Sequence, residues 1–247
     1  MRPKTMAPNV TISIVMPAYN EEANIEKTVL ACHETLSRIS GATEIVVTND
    51  GSSDSTGEIL EALMKRVPGL RVVNHERNMG YGAALKSAVS ASTGEYIVTI
   101  DSDGQFDIGE LPLLLEDNLN GVSIVTGYRK KKNDTPFRVF ANKGLNVLIT
   151  LLFGVRLKDI NCAFRLYRKE ALKSINIESR GYQAPSEIMI KLENLGYGVR
   201  EVGVEHYARE RGVSALRPLK AITQTTAFLL YLRMKTFLYK TGVLNSL

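Results

Sequence analysis

The 247-residue sequence has no tryptophan, only two cysteines and only three histidines. Cys32 and Cys162 cannot build a disulfide framework, and His33, His75 and His206 stand at no zinc-like spacing from them. A reduced, intracellular (cytoplasmic) setting is therefore expected. Long apolar runs are missing too. "NVLITLLFGV" (146–155) and "AITQTTAFLLYL" (221–232) fall short of the roughly 18 to 20 residues that span a bilayer, and read as core helices or as helices lying in a headgroup region. The start "MRPKTMAPNV" lacks the apolar segment of a secretory signal and reads as a loose tail over 1–9, with Met1 or Met6 as the working start. There is no Pro/Gly/Ser linker, low-complexity run or internal repeat, so one domain over 10–216 with a C-terminal amphipathic helix over 217–247 is expected.

What the chain does have is enough apolar surface for a sizeable core, 44% hydrophobic residues with 23% charged, and a net charge of +5. That excess suits phosphates, an anionic membrane surface or nucleic acid. Nucleic acid is the weakest of these, because the cations are dispersed and lack an aromatic stacking platform.

From residue 11 short β-rich runs alternate with helical patterns: "TISIVMP", a helix from Glu22 to Ser37, "EIVVTNDGS", a helix through "STGEILEALMKRV", "LRVVNH", a helix through "GAALKSAVSAS", and "EYIVTI". This alternation predicts an α/β fold with a Rossmann-like, mostly parallel sheet flanked by helices. In such sheets ligands collect at the carboxyl ends of the strands. "PAYNEE", "NDGSSD", "HERNMGYG" and "DSDGQ" follow the first four predicted strands, so four polar loops converge at one edge.

"MGYGAALKS" fails both phosphate-loop patterns, since each needs a glycine where Leu85 stands; Gly80 and Gly82 read instead as residues for a tight turn. The pair Asp101 and Asp103 ends a predicted strand. Side chains two apart project to one side, so the two carboxylates can share a hard divalent cation, with Gln105 supplying a further oxygen; the alternative is a simple turn capped by Asp101.

"PAYNEE" (17–22), "NDGSSDST" (49–56), "GEYIVTIDSDGQ" (94–105), "DINCAFRLYRKEAL" (159–172) and "HYARERGVS" (206–214), in this order, resemble the family 2 glycosyltransferases of the GT-A fold, and among them the branch of dolichol-phosphate mannose synthase-like polyprenyl-phosphate glycosyltransferases. The resemblance covers about residues 10–216. It implies that Pro17, Tyr19 and Glu21 hold the nucleotide's base and ribose, and that Asp50 contacts the base. Asn49 departs from the usual aspartate and removes a charge there. Asp101 and Asp103, with Gln105, match the metal motif that holds Mg²⁺ or Mn²⁺ against the donor diphosphate. Arg129 and Arg138 match positions that receive an acceptor phosphate, and Arg165 is structural or near the acceptor. Arg209 and Ser214 match a loop closing over the diphosphate, with Arg211 as a second candidate and Gly212 as hinge. Glu187 falls at an acidic position facing the acceptor and is a general base if the acceptor is a hydroxyl.

The resemblance thus implies a metal-dependent, inverting transfer of a hexose from a GDP- or UDP-sugar to a polyprenyl phosphate, with Asp103, Glu187, Arg129 and Arg209 as the catalytic set. The segment 217–247, with 146–155, implies peripheral contact with the cytoplasmic membrane face. Two rivals remain: transfer to a soluble or glycan hydroxyl with Glu187 as base, and a non-catalytic partner-binding subunit that keeps the fold.

Overall fold

Every side chain of the run "ISIVMPA" is buried, odd and even positions alike, as a strand covered on both faces requires. This strand, β1 (Ile12–Ala18), is the middle of the architecture. The computed structural model describes residues 11–39, 41–118, 121–131, 136–209 and 218–246. The tail 1–9 and the loop positions Arg211, Gly212, Ser214 and Arg217 lie outside these, and the side chain of Arg138 is likewise outside what is described.

Among the described residues the sheet has seven strands in the order β3-β2-β1-β4-β6-β5-β7. β2 (Thr43–Asn49), β3 (Leu70–Asn74) and β4 (Tyr96–Thr99) join β1 in parallel, and β5 (Ile124–Arg129) pairs in parallel with β7 (Val199–Val204). β6 (Arg165–Arg168) runs antiparallel between β4 and β5, with Arg165 opposite both Thr99 and Thr126. The mostly parallel α/β expectation holds. All six parallel strands end at one edge, and β6 begins there.

Alternation along β1 sends Ile12, Ile14 and Met16 to one face and Val15 to the other. The first face is covered by α1 (Ile25–Ser37), α2 (Thr56–Met64) and α4 (Leu111–Asn118) through Val29, Leu60 and Leu114. The second is covered by α3 (Tyr81–Ala91), α5 (Pro136–Phe153), the short α6 (Lys169–Lys173), α7 (Ala184–Asn194) and α8 (Pro218–Lys240) through Leu85, Ile149, Leu172, Ile188 and Leu229.

The C-terminal helix is present, but its apolar residues are not confined to one side. Leu229, Leu232 and Thr236 face the core, whereas Leu230, Met234 and Phe237 are 61%, 58% and 57% exposed. α5, which packs against α8, repeats the pattern with Phe140 and Leu151 largely exposed. Neither helix contains a single Asp or Glu. Among the described residues no helix is long and apolar enough to cross a membrane.

Candidate active site

The strand ends surround a cleft of about 1350 Å³. One wall comes from the loops after β1 to β4, the other from α5, the segment 178–186 and α8. The first wall is knitted by reciprocal hydrogen bonds between "NEE" and "SSDST". Asn20 accepts from the Ser53 N–H (2.8 Å), Glu21 N–H donates to Thr56 Oγ1 (2.9 Å), and Ser55 N–H donates to Glu22 (2.9 Å). Pro17 and Tyr19 present themselves to the cleft from this knit.

Asp50 lines the cleft and is almost wholly buried. Its carboxylate organises the loop after β3: Oδ1 accepts from Met79 N–H (2.9 Å), Oδ2 from Gly80 N–H (2.8 Å), and His75 Nδ1 lies 2.6 Å from Oδ1. Because a carboxylate only accepts, Nδ1 carries the proton, and His75 Nε2 then faces Ser87 Oγ at 2.9 Å. The same loop crosses directly over Gly51, where a Cβ would sit 2.3 Å from the Arg77 backbone, so glycine's positive φ of 66° and its missing side chain are both needed. Asn49 lies beneath and outside the cleft lining. Its amide donates to Asn74 Oδ1 (3.0 Å) and accepts from Ser52 N–H (3.2 Å). Two facing side-chain amides thus pair here without a charge.

The predicted acidic pair sits at the end of β4. Asp101 accepts from the Tyr81 hydroxyl at 2.9 Å, and Asp103 from the Gln105 N–H at 3.1 Å. Burial, and then the neighbouring charge of Asp103, raise the Asp101 carboxyl to about 7 despite the Tyr81 bond. A pair of hard oxygen donors held at such electrostatic tension suits a hard divalent cation. Among the described residues no group of three or more His, Cys, Asp or Glu is placed to hold a metal. Two carboxylates plus oxygens from a phosphorylated ligand is nevertheless the way Mg²⁺ is commonly held, so the residues fit. Gln105 also lines the cleft, with its Nε2 donating to the Tyr207 carbonyl (2.9 Å).

Arg209 bridges the two sides of this corner, 2.7 Å from Glu21 Oε1 and 3.2 Å from Asp103 Oδ2. Its partner in the expected loop, Ser214, lies outside the described residues. Arg129 lines the cleft but is locked in a two-pronged pair with Asp159, at 2.7 and 3.0 Å, both side chains nearly buried. Arg165 is structural. Fully buried, it donates to Thr126 Oγ1 (2.9 Å), the Pro185 carbonyl (2.7 Å) and the Ile160 carbonyl (2.5 Å).

Glu187 requires a correction. It is completely buried and absent from the cleft lining. Its two oxygens accept the backbone N–H groups of Glu178 and Ser179, each at 2.9 Å, and Lys191 Nζ lies 2.8 Å away. A carboxylate so engaged cannot reach an acceptor hydroxyl, so it is no general base. The residues that sequence reasoning missed are Tyr81, His75 and Asp159, each of which holds a predicted site residue in place. Asp159 heads the "DINCAFR" motif and Tyr81 sits inside "MGYG", so both had a local signal; His75 had none.

Residues 13–175 match the family model described as glycosyl transferase family 2. The chain belongs to this family. A dolichyl-phosphate beta-glucosyltransferase of Trichomonas vaginalis is 35% identical over 69% of the chain and 56% of its own length. An undecaprenyl-phosphate 4-deoxy-4-formamido-L-arabinose transferase of Pectobacterium carotovorum is 31% identical over 85% of the chain and 64% of its own length. The chain therefore spans less than two thirds of these family 2 relatives. Among solved structures, the glucosyl-3-phosphoglycerate synthase of Mycobacterium tuberculosis in complex with phosphoglyceric acid superposes with a TM-score of 0.69 at 26% identity, covering 90% of this chain and 79% of that one. The sheet order and flanking helices are those expected of the GT-A fold.

Proposed function

We propose that this family 2 chain transfers a hexose from a nucleotide sugar to the phosphate of a polyprenyl lipid, inverting the anomeric carbon. The observation that carries the reading is the meeting of Asp101, Asp103 and Arg209 in one corner of a cleft whose opposite wall is built from two carboxylate-free helices with exposed apolar residues. The dolichyl- and undecaprenyl-phosphate names of the two relatives support it.

In this reading Pro17 and Tyr19 receive the base and ribose, and the Asp50-ordered loop at Met79 and Gly80 forms the floor. Asp101 and Asp103, with Gln105 beside them, are the residues that would hold Mg²⁺ or Mn²⁺, whose charge offsets that of the donor diphosphate and of the leaving group. Tyr81 fixes the Asp101 carboxyl, and Arg209 exchanges Glu21 and Asp103 for phosphate oxygens as the donor enters. An acceptor phosphate oxygen bonds to the anomeric carbon as the bond from that carbon to the diphosphate breaks, and the electron pair leaves with the nucleoside diphosphate. A phosphate monoester is already anionic at neutral pH, so no base is required. The burial of Glu187 agrees with this route and removes support from the hydroxyl-acceptor alternative.

Contact with the bilayer is assigned to the exposed residues of α5 and α8. Phe140, Val147 and Leu151 recur on one stripe and Leu230, Met234 and Phe237 on another, with Lys143, Arg233 and Lys240 among them.

The test is calorimetric titration of UDP and GDP with Mn²⁺ and with chelator, followed by transfer from the matching nucleotide sugar to a polyprenyl phosphate. Metal-dependent binding of one nucleotide and a lipid-linked product are expected. Absence of any nucleotide binding overturns the reading and leaves the non-catalytic subunit.

A further inference from the structure

Among the described residues, five carboxylates line the cleft (Glu21, Asp50, Asp101, Asp103 and Glu178) against three arginines. Two of those arginines are committed, Arg129 to Asp159 and Arg209 to Glu21 and Asp103. The third, Arg180, is exposed and has no carboxylate within ion-pair distance among the described residues. A second, anionic substrate approaching so acidic a cleft needs a cation that is not already spent.

The backbone beneath Arg180 packs closely against the Gly80–Gly82 turn. Its carbonyl accepts from Gly82 N–H at 2.9 Å, and a Cβ at Gly80 would stand 2.3 Å from that carbonyl oxygen. A Cβ at Gly82 would stand 2.1 Å from the carbonyl oxygen of Ser179. Glu187 holds the N–H groups of residues 178 and 179 from below. Beside the arginine, Tyr182 stacks on Tyr81 at 5.5 Å, and Tyr81 holds Asp101. The strap thus carries its guanidinium on a backbone held by hydrogen bonds and close packing, and the stacked tyrosines join that strap to the acidic pair.

A separate observation points to a ligand at the same place. Ser179 lines the cleft, is 94% buried by its 6% exposure, and has a hydroxyl without a hydrogen-bond partner. The next residue in the chain carries the uncommitted guanidinium, and both groups are donors of the kind from which an oxyanion accepts.

We infer that Arg180, supported by Ser179, is the binding site for the phosphate monoester of the acceptor. This rests on the transferase reading above. Arg180 is a binding residue, and it takes up the acceptor phosphate while Arg129 stays paired with Asp159.

The experiment uses the full chain with two acceptors, a short water-soluble prenyl phosphate and a long-chain prenyl phosphate in phosphatidylcholine vesicles. Arg180→Ala should raise the acceptor KM about tenfold or more for both, with kcat and nucleotide affinity within about twofold, and Arg180→Lys should restore part of the loss. An unchanged acceptor KM overturns the inference. So does a parallel fall in nucleotide affinity, which would place Arg180 on the donor, or a loss confined to the vesicle acceptor, which would place it on the bilayer surface. If the unsubstituted chain transfers nothing, the transferase reading fails by itself. Competition by inorganic phosphate, titrated against the chain and Arg180→Ala, still decides whether the guanidinium holds a phosphate.

Discussion

Glu187 and Lys191 stand one turn apart on α7, both without solvent exposure, with carboxylate and ammonium 2.8 Å apart. Lys191 also reaches Glu178 at 2.5 Å and the Asn176 carbonyl at 2.7 Å. Glu187→Gln leaves the buried Lys191 with Glu178 as its carboxylate partner and takes one charged acceptor from the N–H groups of Glu178 and Ser179, so it should lower stability by about 3 kcal/mol in chemical denaturation. Turnover per folded molecule should change little. A collapse of kcat at unchanged stability would restore Glu187 as a base.

Asp103→Asn should lower transfer about a hundredfold or more and abolish the Mn²⁺ dependence of nucleotide binding, leaving the chelator-treated affinity as in the unsubstituted chain. Calorimetry with and without chelator reads both. Retained metal dependence would move the cation elsewhere.

Glu178 ties the cleft strap to the C-terminal helix. Partial burial raises its pKa, but hydrogen bonds from Lys191, Lys235 and Tyr231 outweigh this and lower it to about 2. Its folded value lies below its ordinary 4.5, so the stabilisation is complete above that pH and is lost as pH falls toward 2. The melting-temperature difference between the chain and Glu178→Gln should therefore be constant above about pH 5 and close as acid is added. A difference that grows on acidification would refute the latch.

His75→Ala should cost about 1 to 2 kcal/mol and raise the donor KM, since Asp50 loses the partner that helps it hold the Met79 and Gly80 loop. Ser87→Ala, at the far end of the same relay, should have the smaller effect on both.

Leu151→Glu combined with Phe237→Glu should reduce sedimentation with anionic vesicles about tenfold or more while leaving nucleotide affinity intact. Unaltered sedimentation would remove α5 and α8 from the bilayer.

The parallel strands were legible because apolar runs ended in turn residues, and the acidic pair because two carboxylates at a strand end demand a reason. Partners distant in sequence were not legible. Nothing near Arg129 announces Asp159 thirty residues on, and nothing in "FRLYR" says that it enters the sheet antiparallel between β4 and β5. For Glu187 the signal existed: a lysine four residues later on the same helix was a candidate partner, and only burial turned the pair inward.

Among the described residues, the sheet is joined through β6. Four residues, Arg165–Arg168, form the ladders between the block β3-β2-β1-β4 and the block β5-β7, with one isolated bridge, Phe106 to His206, beyond the strand ends. As the chain leaves the ribosome, the outer edge of β4 stands open until those residues have been made, although β5 is already there. An open strand edge is a template for other chains. The interval before β6 arrives is when a nascent molecule is most exposed to aggregation, and substitutions that slow the docking of "RLYR" should show themselves as poor yield of folded protein rather than as altered chemistry.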